Sequence, residues 1–188
     1  MPRFRDRYRH ESAERFIPPE RTQRGRPMIP SRQIDPIAQL MQEHDEALVK
    51  LSMLNKAARS IAEHGYSEEA YTQIRLALEF INEEVTVHNR SEEEALFPVL
   101  ERYVEGPTQL MREEHKTLRK EFVRLRKAVR AVASKKHDKR AARQLHEVAQ
   151  HMVALFVNHI HKENHILFPL VQKFLTKDAL REVARRMV

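Results

Sequence analysis

The feature that most constrains the fold of this chain is an internal repeat with an offset of 71 residues. Matching side chains stand 71 positions apart: His44 and His115, His88 and His159, Glu92 and Glu163, and the tripeptides Leu96-Phe97-Pro98 and Leu167-Phe168-Pro169. A repeat unit of this size holds one helix pair, and two such units bury a shared core when they pack together. The sequence therefore predicts two similar helical hairpins in a two-fold arrangement.

Capping residues and apolar periodicity predict where these helices begin and end. The first starts at Asp35-Pro36 and stops near Gly65, and the second starts after Ser67. Gly106-Pro107 separates the second helix from the third, and Asp138 caps the fourth. A short helix from about Asp178 to Arg186 follows. The apolar stripes are Ile37, Leu40, Met41, Leu48, Leu51; Ile74, Leu78, Ile81, Val85; Leu118, Phe122, Leu125, Val129, Val132; and Leu145, Val148, Met152, Leu155, Ile166.

These elements predict an all-α, up-down-up-down four-helix bundle with internal duplication, an N-terminal basic arm and a short C-terminal helix. The expected organisation is an Arg/Pro-rich basic arm over residues 1–33, the bundle over residues 34–175, and the terminal helix over residues 176–188, packed on the bundle. Only three glycines occur in 188 residues, which argues against a turn-rich β fold.

Composition restricts the chemistry. The chain has no cysteine, which excludes disulfides, zinc–thiolate sites, Fe–S clusters and thiol catalysis. Any metal must therefore be held by nitrogen and oxygen. No apolar run approaches the roughly 20 residues that span a bilayer, and the N-terminus lacks the apolar core of a secretory signal. These observations predict a cytoplasmic protein with no membrane partner.

The positive charge is concentrated in the arm. Residues 1–33 contain nine arginines and four acids, whereas the rest of the chain has 25 basic and 23 acidic side chains. An RNA, DNA or other anionic partner could be held by such a segment. The alternative is a solubilising tail, and it is the preferred interpretation because charge runs are usually solvated.

Six polar residues interrupt the apolar stripes at matching places. A histidine or a carboxylate that faces a bundle core is costly unless it has a partner, and metal coordination would satisfy all of them together. Each half supplies one histidine from its first helix and an HxxxE pair from its second, a two-fold pattern that suits two metals and two bridging carboxylates. The candidate metal ligands are His44, His88, Glu92, His115, His159 and Glu163.

The segment HIHKENHILFP, residues 159–169, contains two pairs with helical i, i+4 spacing, His159 with Glu163 and His161 with His165. The repeat separates them, because the counterparts of His161 and His165 are Arg90 and Glu94, an ordinary exposed salt-bridge pair. His161 and His165 are therefore predicted to lie on the surface. HEVAQH, residues 146–151, has a spacing of five and does not match the zincin motif. The methionines at 41, 111 and 152 are interpreted as core filler.

The stretches HNRSEEEALFP (88–98) and HIHKENHILFP, together with the lone histidines in QEHDEAL and REEHKTL, resemble the hemerythrin-like, HHE cation-binding family. The resemblance covers about residues 35–172. It implies a four-helix bundle with a non-haem, oxo- or hydroxo-bridged di-iron centre, in which the six candidate residues bind two iron ions and the two glutamates bridge them. Ferritin-like di-iron bundles share the fold but need Glu-x-x-His motifs, and no histidine of this chain has a glutamate three positions upstream.

The number of histidine ligands indicates which members of the family this chain resembles most. Oxygen-carrying hemerythrins use five histidines, whereas four here match relatives that handle NO, repair damaged Fe–S clusters, or sense iron and oxygen. Repair proteins usually carry a cysteine-containing segment, and this chain has no cysteine. Two octahedral irons need about twelve ligand positions, of which about ten would be filled.

Three functions remain open at this point. The first is a di-iron protein that binds or reduces O2, NO or peroxide in oxygen handling, iron homeostasis or stress defence, with a possible electron donor. The second is an iron or oxygen sensor whose partner reads metal occupancy. The third is an interaction module that binds zinc, manganese or no metal. The residues suggest no protein nucleophile and no general base.

Overall fold

A computed structural model describes residues 35–187, which belong to one compact unit. The arm predicted over residues 1–33 lies outside the described residues. The unit contains helix α1 (Pro36–His64), helix α2 (residues 68–100), helix α3 (Thr108–Ser134), helix α4 (residues 139–174) and helix α5 (Lys177–Arg186). No strand occurs between residues 35 and 187. The all-α bundle predicted from the sequence is confirmed.

The helix starts are set by side-chain caps. The carboxylate of Asp35 accepts the backbone N–H of Ile37 at 3.0 Å, and Asp138 accepts that of Arg140 at 2.8 Å. Ser67 caps α2 in the same way. These bonds satisfy N–H groups that have no partner within the helix. Gly65 ends α1 with a φ of 91°, a conformation that favours glycine.

The bundle has two apolar cores, and the candidate ligands lie between them. Helix α1 packs against α2 and α4, and α3 packs against α4 and contacts α2. One core is built around Leu54, Ile74, Leu125 and Leu145. The other contains Leu40, Phe97 and Phe168 near the end of the bundle where α5 packs. In α1, His44 lies between Leu40 of one core and Leu51 of the other.

Helices α2 and α4 are not regular throughout. Five-residue π-helical segments interrupt them at Ile81–Val85, Glu92–Leu96 and Glu163–Leu167. The last two occupy equivalent positions of the repeat and begin at the candidate ligands Glu92 and Glu163. In both, the backbone N–H of the residue five positions on, Phe97 or Phe168, bonds to the glutamate carbonyl. A π-helical turn inserts one residue into the helix.

A proline explains the position of these two widened turns. Pro98 and Pro169 are each the second residue after a π segment. Proline has no backbone N–H, and its ring clashes with the carbonyl four residues back in a regular α-helix. A wider turn immediately before the proline relieves this conflict. The Leu-Phe-Pro tripeptide is therefore a sequence signal for a π segment next to each HxxxE pair.

Two predicted core positions were wrong. Ile166 is 50% exposed and Leu167 is buried, because the inserted residue shifts the apolar face by one position. Met41 is 41% exposed, whereas Met111 and Met152 are buried as predicted. In α1, Leu40 and His44 already fill the inward face of that turn, and Met41 lies to one side of it.

Within residues 35–187, every helix is too short or too polar to cross a membrane.

Candidate metal centre

The structure brings all six predicted side chains together between the two cores. Glu92, Glu163 and His115 are completely buried, and the other three histidines are almost so. Two overlapping groups of side chains are close enough to hold a metal ion: His44, His88 and Glu163; and Glu92, His115, His159 and Glu163. Each group takes its histidines from one half of the repeat, and Glu163 belongs to both.

Hydrogen bonds to Nδ1 orient all four imidazoles. His88 donates to Glu43 at 2.7 Å and His159 to Glu114 at 2.9 Å. Burial opposes ionisation of Glu43 and Glu114, but contacts with these histidines, and with Lys162 for Glu114, outweigh it and lower the pKa of both carboxyls. Both carboxylates can therefore only accept, so Nδ1 carries the proton.

The two lone histidines are also hydrogen-bonded through Nδ1. His115 donates from Nδ1 to Glu93 at 2.7 Å, and His44 donates to the side-chain oxygen of Asn164 at 2.8 Å. Histidines that bind metals usually donate a hydrogen bond from their other ring nitrogen, and this bond fixes the orientation of the ring and the tautomer. In all four residues, Nε2 is left free to point at the centre of the site.

The free nitrogens face one another in pairs. His44 Nε2 lies 3.1 Å from His88 Nε2, and His115 Nε2 lies 3.0 Å from His159 Nε2. With the protons on Nδ1, each pair presents two lone pairs to each other, a repulsive contact unless a cation lies beside them. Two nitrogens each about 2.1 Å from one ion, the length of a zinc–imidazole bond, are about 3 Å apart when they bind at right angles.

The two carboxylates complete the site. None of the four side-chain oxygens of Glu92 and Glu163 makes a hydrogen bond with proper geometry among residues 35–187. Yet Glu163 lies 3.0 Å from Nε2 of both His44 and His159, and Glu92 lies 3.4 Å from Nε2 of His115. Fully buried carboxylates without hydrogen bonds are rare and costly. Their position between two pairs of imidazole lone pairs fits cation binding.

The pKa values reflect this crowding of charge. Burial, together with the negative charge of Glu163, raises the pKa of Glu92 well above its ordinary value. Burial also disfavours ionised Glu163, but contacts with His115, His159 and His44 outweigh it and lower its pKa well below the usual range. Burial lowers the pKa of His88, whereas Glu163 outweighs burial and raises that of His159. Protons and cations therefore compete for the same atoms.

Aromatic rings and a cleft surround the site. Phe168 stacks on His44, with ring centroids 5.4 Å apart, and Phe97 stacks on His115 at 6.0 Å. These phenylalanines belong to the repeated Leu-Phe-Pro tripeptides, and each covers the lone histidine of the other half. A cleft reaches the site beside His44 and His88, and its outer wall includes Phe80, Glu84 and Phe156.

The remaining predicted positions lie away from the centre. His161 and His165 are exposed and stack on each other, with centroids 4.1 Å apart. His151 is exposed and His146 is half-buried, and neither belongs to a group that could hold a metal within the described part of the chain.

The orienting residues Glu43, Glu93, Glu114 and Asn164 were not predicted from the sequence. Glu43 and Glu114 occupy equivalent positions, each directly before a lone histidine, so the repeat itself contained a signal for that pair.

The donor set of four imidazoles and two carboxylates suits first-row transition metals such as iron, manganese and zinc. The four Nε2 atoms lie in two pairs, His44 with His88 and His115 with His159.

Comparisons with known proteins agree with this architecture. The family model described as the hemerythrin HHE cation-binding domain matches residues 35–171, and a second match covers residues 106–188. The chain belongs to the hemerythrin HHE cation-binding family. Among curated proteins, it is 26% identical over 137 residues to the iron-sulfur cluster repair protein YtfE of Yersinia pseudotuberculosis and to that of Yersinia pestis. These alignments cover 71% of this chain and 61% of each relative, so the chain spans about three fifths of their length.

Proposed function

We propose that the chain is a non-haem di-iron protein that binds O2, NO or peroxide in a response to oxidative or nitrosative stress. The observation that carries the proposal is the pairing of four imidazole lone pairs around two buried carboxylates, which make no hydrogen bond of proper geometry within the described part of the chain. Membership of the HHE family and the similarity to iron-sulfur cluster repair proteins support iron over zinc or manganese.

In this proposal each side chain has a defined role. His44 and His88 would hold one ion, His115 and His159 would hold the other, and Glu92 and Glu163 would supply the carboxylate ligands. Glu43, Glu93, Glu114 and Asn164 keep the imidazoles in the binding tautomer. The bound iron pair would supply redox chemistry and positions for a small ligand. The protein contributes orientation of the ligands, and Phe97 and Phe168 cover part of the site.

The cleft beside His44 and His88 is the proposed entry for a small ligand. It is lined by Phe80, Val85 and Phe156 in addition to the histidines, and Glu43 and Glu84 lie at its polar edge. Such a narrow, mainly apolar approach suits small diatomic molecules better than extended polar substrates.

A sensor is the second candidate, favoured by the distribution of the ligands. The six residues come from all four helices of the bundle, so metal occupancy contributes directly to holding those helices together. A partner that distinguishes the loaded from the unloaded bundle would then read iron or oxygen levels.

Metal content and optical spectra test the proposal. Purified protein should contain close to two iron ions per chain and show the near-ultraviolet absorption of an oxo bridge after oxidation. His88→Ala and His159→Ala should each lose iron, because each removes a donor from one metal position. His161→Ala is the matched control, since that histidine is exposed, and it should retain the iron of the parent protein.

A single bound zinc ion, or no iron after anaerobic reconstitution with Fe(II), would contradict a di-iron function. Kinetics then separate the two candidates. Repeated turnover of NO or peroxide with an added electron donor identifies an enzyme, whereas stoichiometric binding identifies a carrier or a sensor.

A further inference from the structure

Four residues accept the hydrogen bonds of the four histidines, and they form two pairs of equivalent positions in the internal repeat. The two residues are identical in one pair and different in the other. Glu43 and Glu114 are equivalent and bind His88 and His159 in the same way. Glu93 and Asn164 are also equivalent, 71 positions apart, but one is a carboxylate and the other an amide. His115 therefore has an ionised partner at 2.7 Å, and His44 has a neutral partner at 2.8 Å.

Glu93 and Asn164 occupy the same position in their helices and differ only in side-chain chemistry. Glu93 and Asn164 are both half-buried, and each follows directly the buried glutamate that begins a π segment. The surroundings change in step with the side chain. Arg119 donates to Glu93 at 3.2 Å, and the residue equivalent to Arg119 in the first half is Leu48. Both His115 Nδ1 and Arg119 lie against the same carboxylate oxygen of Glu93, at 2.7 and 3.2 Å, a pairing that fits a carboxylate and not an amide.

A carboxylate and an amide act differently on the imidazole that they bind. A hydrogen bond to an ionised acceptor is roughly twice as strong as one between neutral groups, and it makes the imidazole a better metal donor. An ionised carboxylate also accepts only, so Glu93 holds the proton of His115 on Nδ1. The amide of Asn164 can accept or donate, so it is compatible with either tautomer of His44.

The cations beside the carboxylates reduce this difference without cancelling it. Arg119 and Lys162 contact Glu93 and Glu114, but their side chains are 53% and 30% exposed. Solvent screens charges that are this accessible. The histidine–carboxylate hydrogen bonds are direct, and the imidazoles that donate them are buried.

The glutamates are also shared unequally. Glu163 belongs to both groups of potential ligands, but Glu92 belongs only to the group around His115 and His159. Its nearest oxygen lies 3.4 Å from Nε2 of His115 and 3.7 Å from Nε2 of His88. The position around His44 and His88 therefore has three donors close together, and the other has four.

We propose that the two metal positions are unequal, that the His115–His159 position binds its ion more tightly, and that Asn164 is the positioning residue that weakens the His44–His88 position. This inference rests on the proposed function, because it presupposes two bound ions. Its consequence is a protein that keeps one ion and exchanges the other as the free metal concentration changes.

Titration of the chelator-treated full-length protein with Co(II), followed by visible absorption and calorimetry, tests the proposal. The parent protein should bind two ions in two resolved steps. His115→Ala should remove the tighter step and His44→Ala the weaker one, which assigns each step to a position.

Two isosteric variants then test the role of the partners. Asn164→Asp should tighten the weaker step by about tenfold and leave the tighter step unchanged, since loss or gain of such a partner alters metal affinity by about 10- to 100-fold. Glu93→Gln should weaken the tighter step by a similar factor. The double variant should bring the two affinities closer together than in the parent protein.

Far-ultraviolet circular dichroism of each metal-free variant checks that the bundle is formed. If the carboxylate introduced by Asn164→Asp destabilises its site, Glu93→Gln still tests the proposal at the other position. Two ions of equal affinity in the parent protein, or a weaker step that Asn164→Asp shifts by less than about twofold, would overturn this inference while leaving the two-metal function intact. Binding of fewer than two Co(II) ions would overturn both.

Discussion

At the scale of single residues, the candidate site is defined by where protons are held. His88, His115 and His159 keep a proton on Nδ1 because a carboxylate lies within 2.9 Å of it, and the amide of Asn164 lies 2.8 Å from Nδ1 of His44. All four histidines present Nε2 to the interior. With the proton on Nε2 instead, these nitrogens would present N–H groups to the centre and could not bind a cation. The outer oxygens therefore favour the tautomers that leave lone pairs at the centre of the site.

The raised pKa of Glu92 predicts a specific pH dependence for protein stripped of metal with a chelator. A carboxyl whose folded-state pKa is raised stabilises the fold below its ordinary pKa, near 4.5, and this contribution is lost as the pH rises through the folded-state value. Glu92→Gln cannot ionise. The variant should match the parent below about pH 4.5 and become progressively more stable than the parent as the pH increases.

Urea unfolding of both proteins across this pH range measures the difference, and contributions from His88 and His159 cancel to first order in the comparison. With metal bound the order should reverse, because the variant has lost a charged ligand. A stability difference that is independent of pH would show that Glu92 titrates normally.

At the scale of helices, the sequence predicted the α segments well and the π segments not at all. Caps at Asp35, Ser67 and Asp138 are local features, and the helices begin where those residues predict. An assumed rotation of 100° per residue holds from His159 to Glu163 but fails beyond it, which is why Ile166 was misplaced.

The candidate site was predictable to a similar degree. The repeat pointed to six side chains that the structure does bring together, and their metal binding remains a prediction. Asn164, the partner of His44, could not be predicted from the repeat, because the equivalent residue in the first half is a glutamate, Glu93.

The π segment at Glu163–Leu167 leads to a prediction about deletion of Ile166. Removing this exposed residue should convert the wide turn to a regular α turn, which brings the ring of Pro169 against the carbonyl four residues back. The deletion should therefore cost about 3 kcal/mol of unfolding free energy. Adding Pro169→Ala to the deletion should recover most of that loss, as measured by urea unfolding of metal-free protein.

Deletion of Val157 serves as the control, because this residue is also exposed but lies within the regular helix Lys139–Lys162. That deletion rotates everything beyond it by about 100° and should abolish metal binding, with no rescue by Pro169→Ala. If Pro169→Ala fails to improve the Ile166 deletion, the proline is not the reason for the wide turn.

At the scale of the whole molecule, the site is built from both halves of the repeat, and histidines of each half contact a glutamate of the other. His44 and His88 of the first half meet Glu163 of the second, and His115 and His159 of the second half meet Glu92 of the first. The outer partners of His44 and His115, and the phenylalanines that stack on them, also come from the opposite half. Neither half alone contains a complete site, so the site depends on docking of the two hairpins.

The duplication predicts that two copies of one half can replace the whole. A fragment of residues 107–175 carries His115, His159 and Glu163, and two copies would supply four imidazoles and two carboxylates in the same two-fold arrangement. We expect this fragment to be a monomer with a chelator present and to form a dimer with two Co(II) ions, because metal binding supplies folding free energy that one hairpin lacks. Sedimentation velocity with and without Co(II) measures the change.

His115→Ala should abolish the dimer, whereas His161→Ala should not. A fragment that binds Co(II) as a monomer, or dimerises equally well with chelator, would show that the halves do not depend on each other for the site.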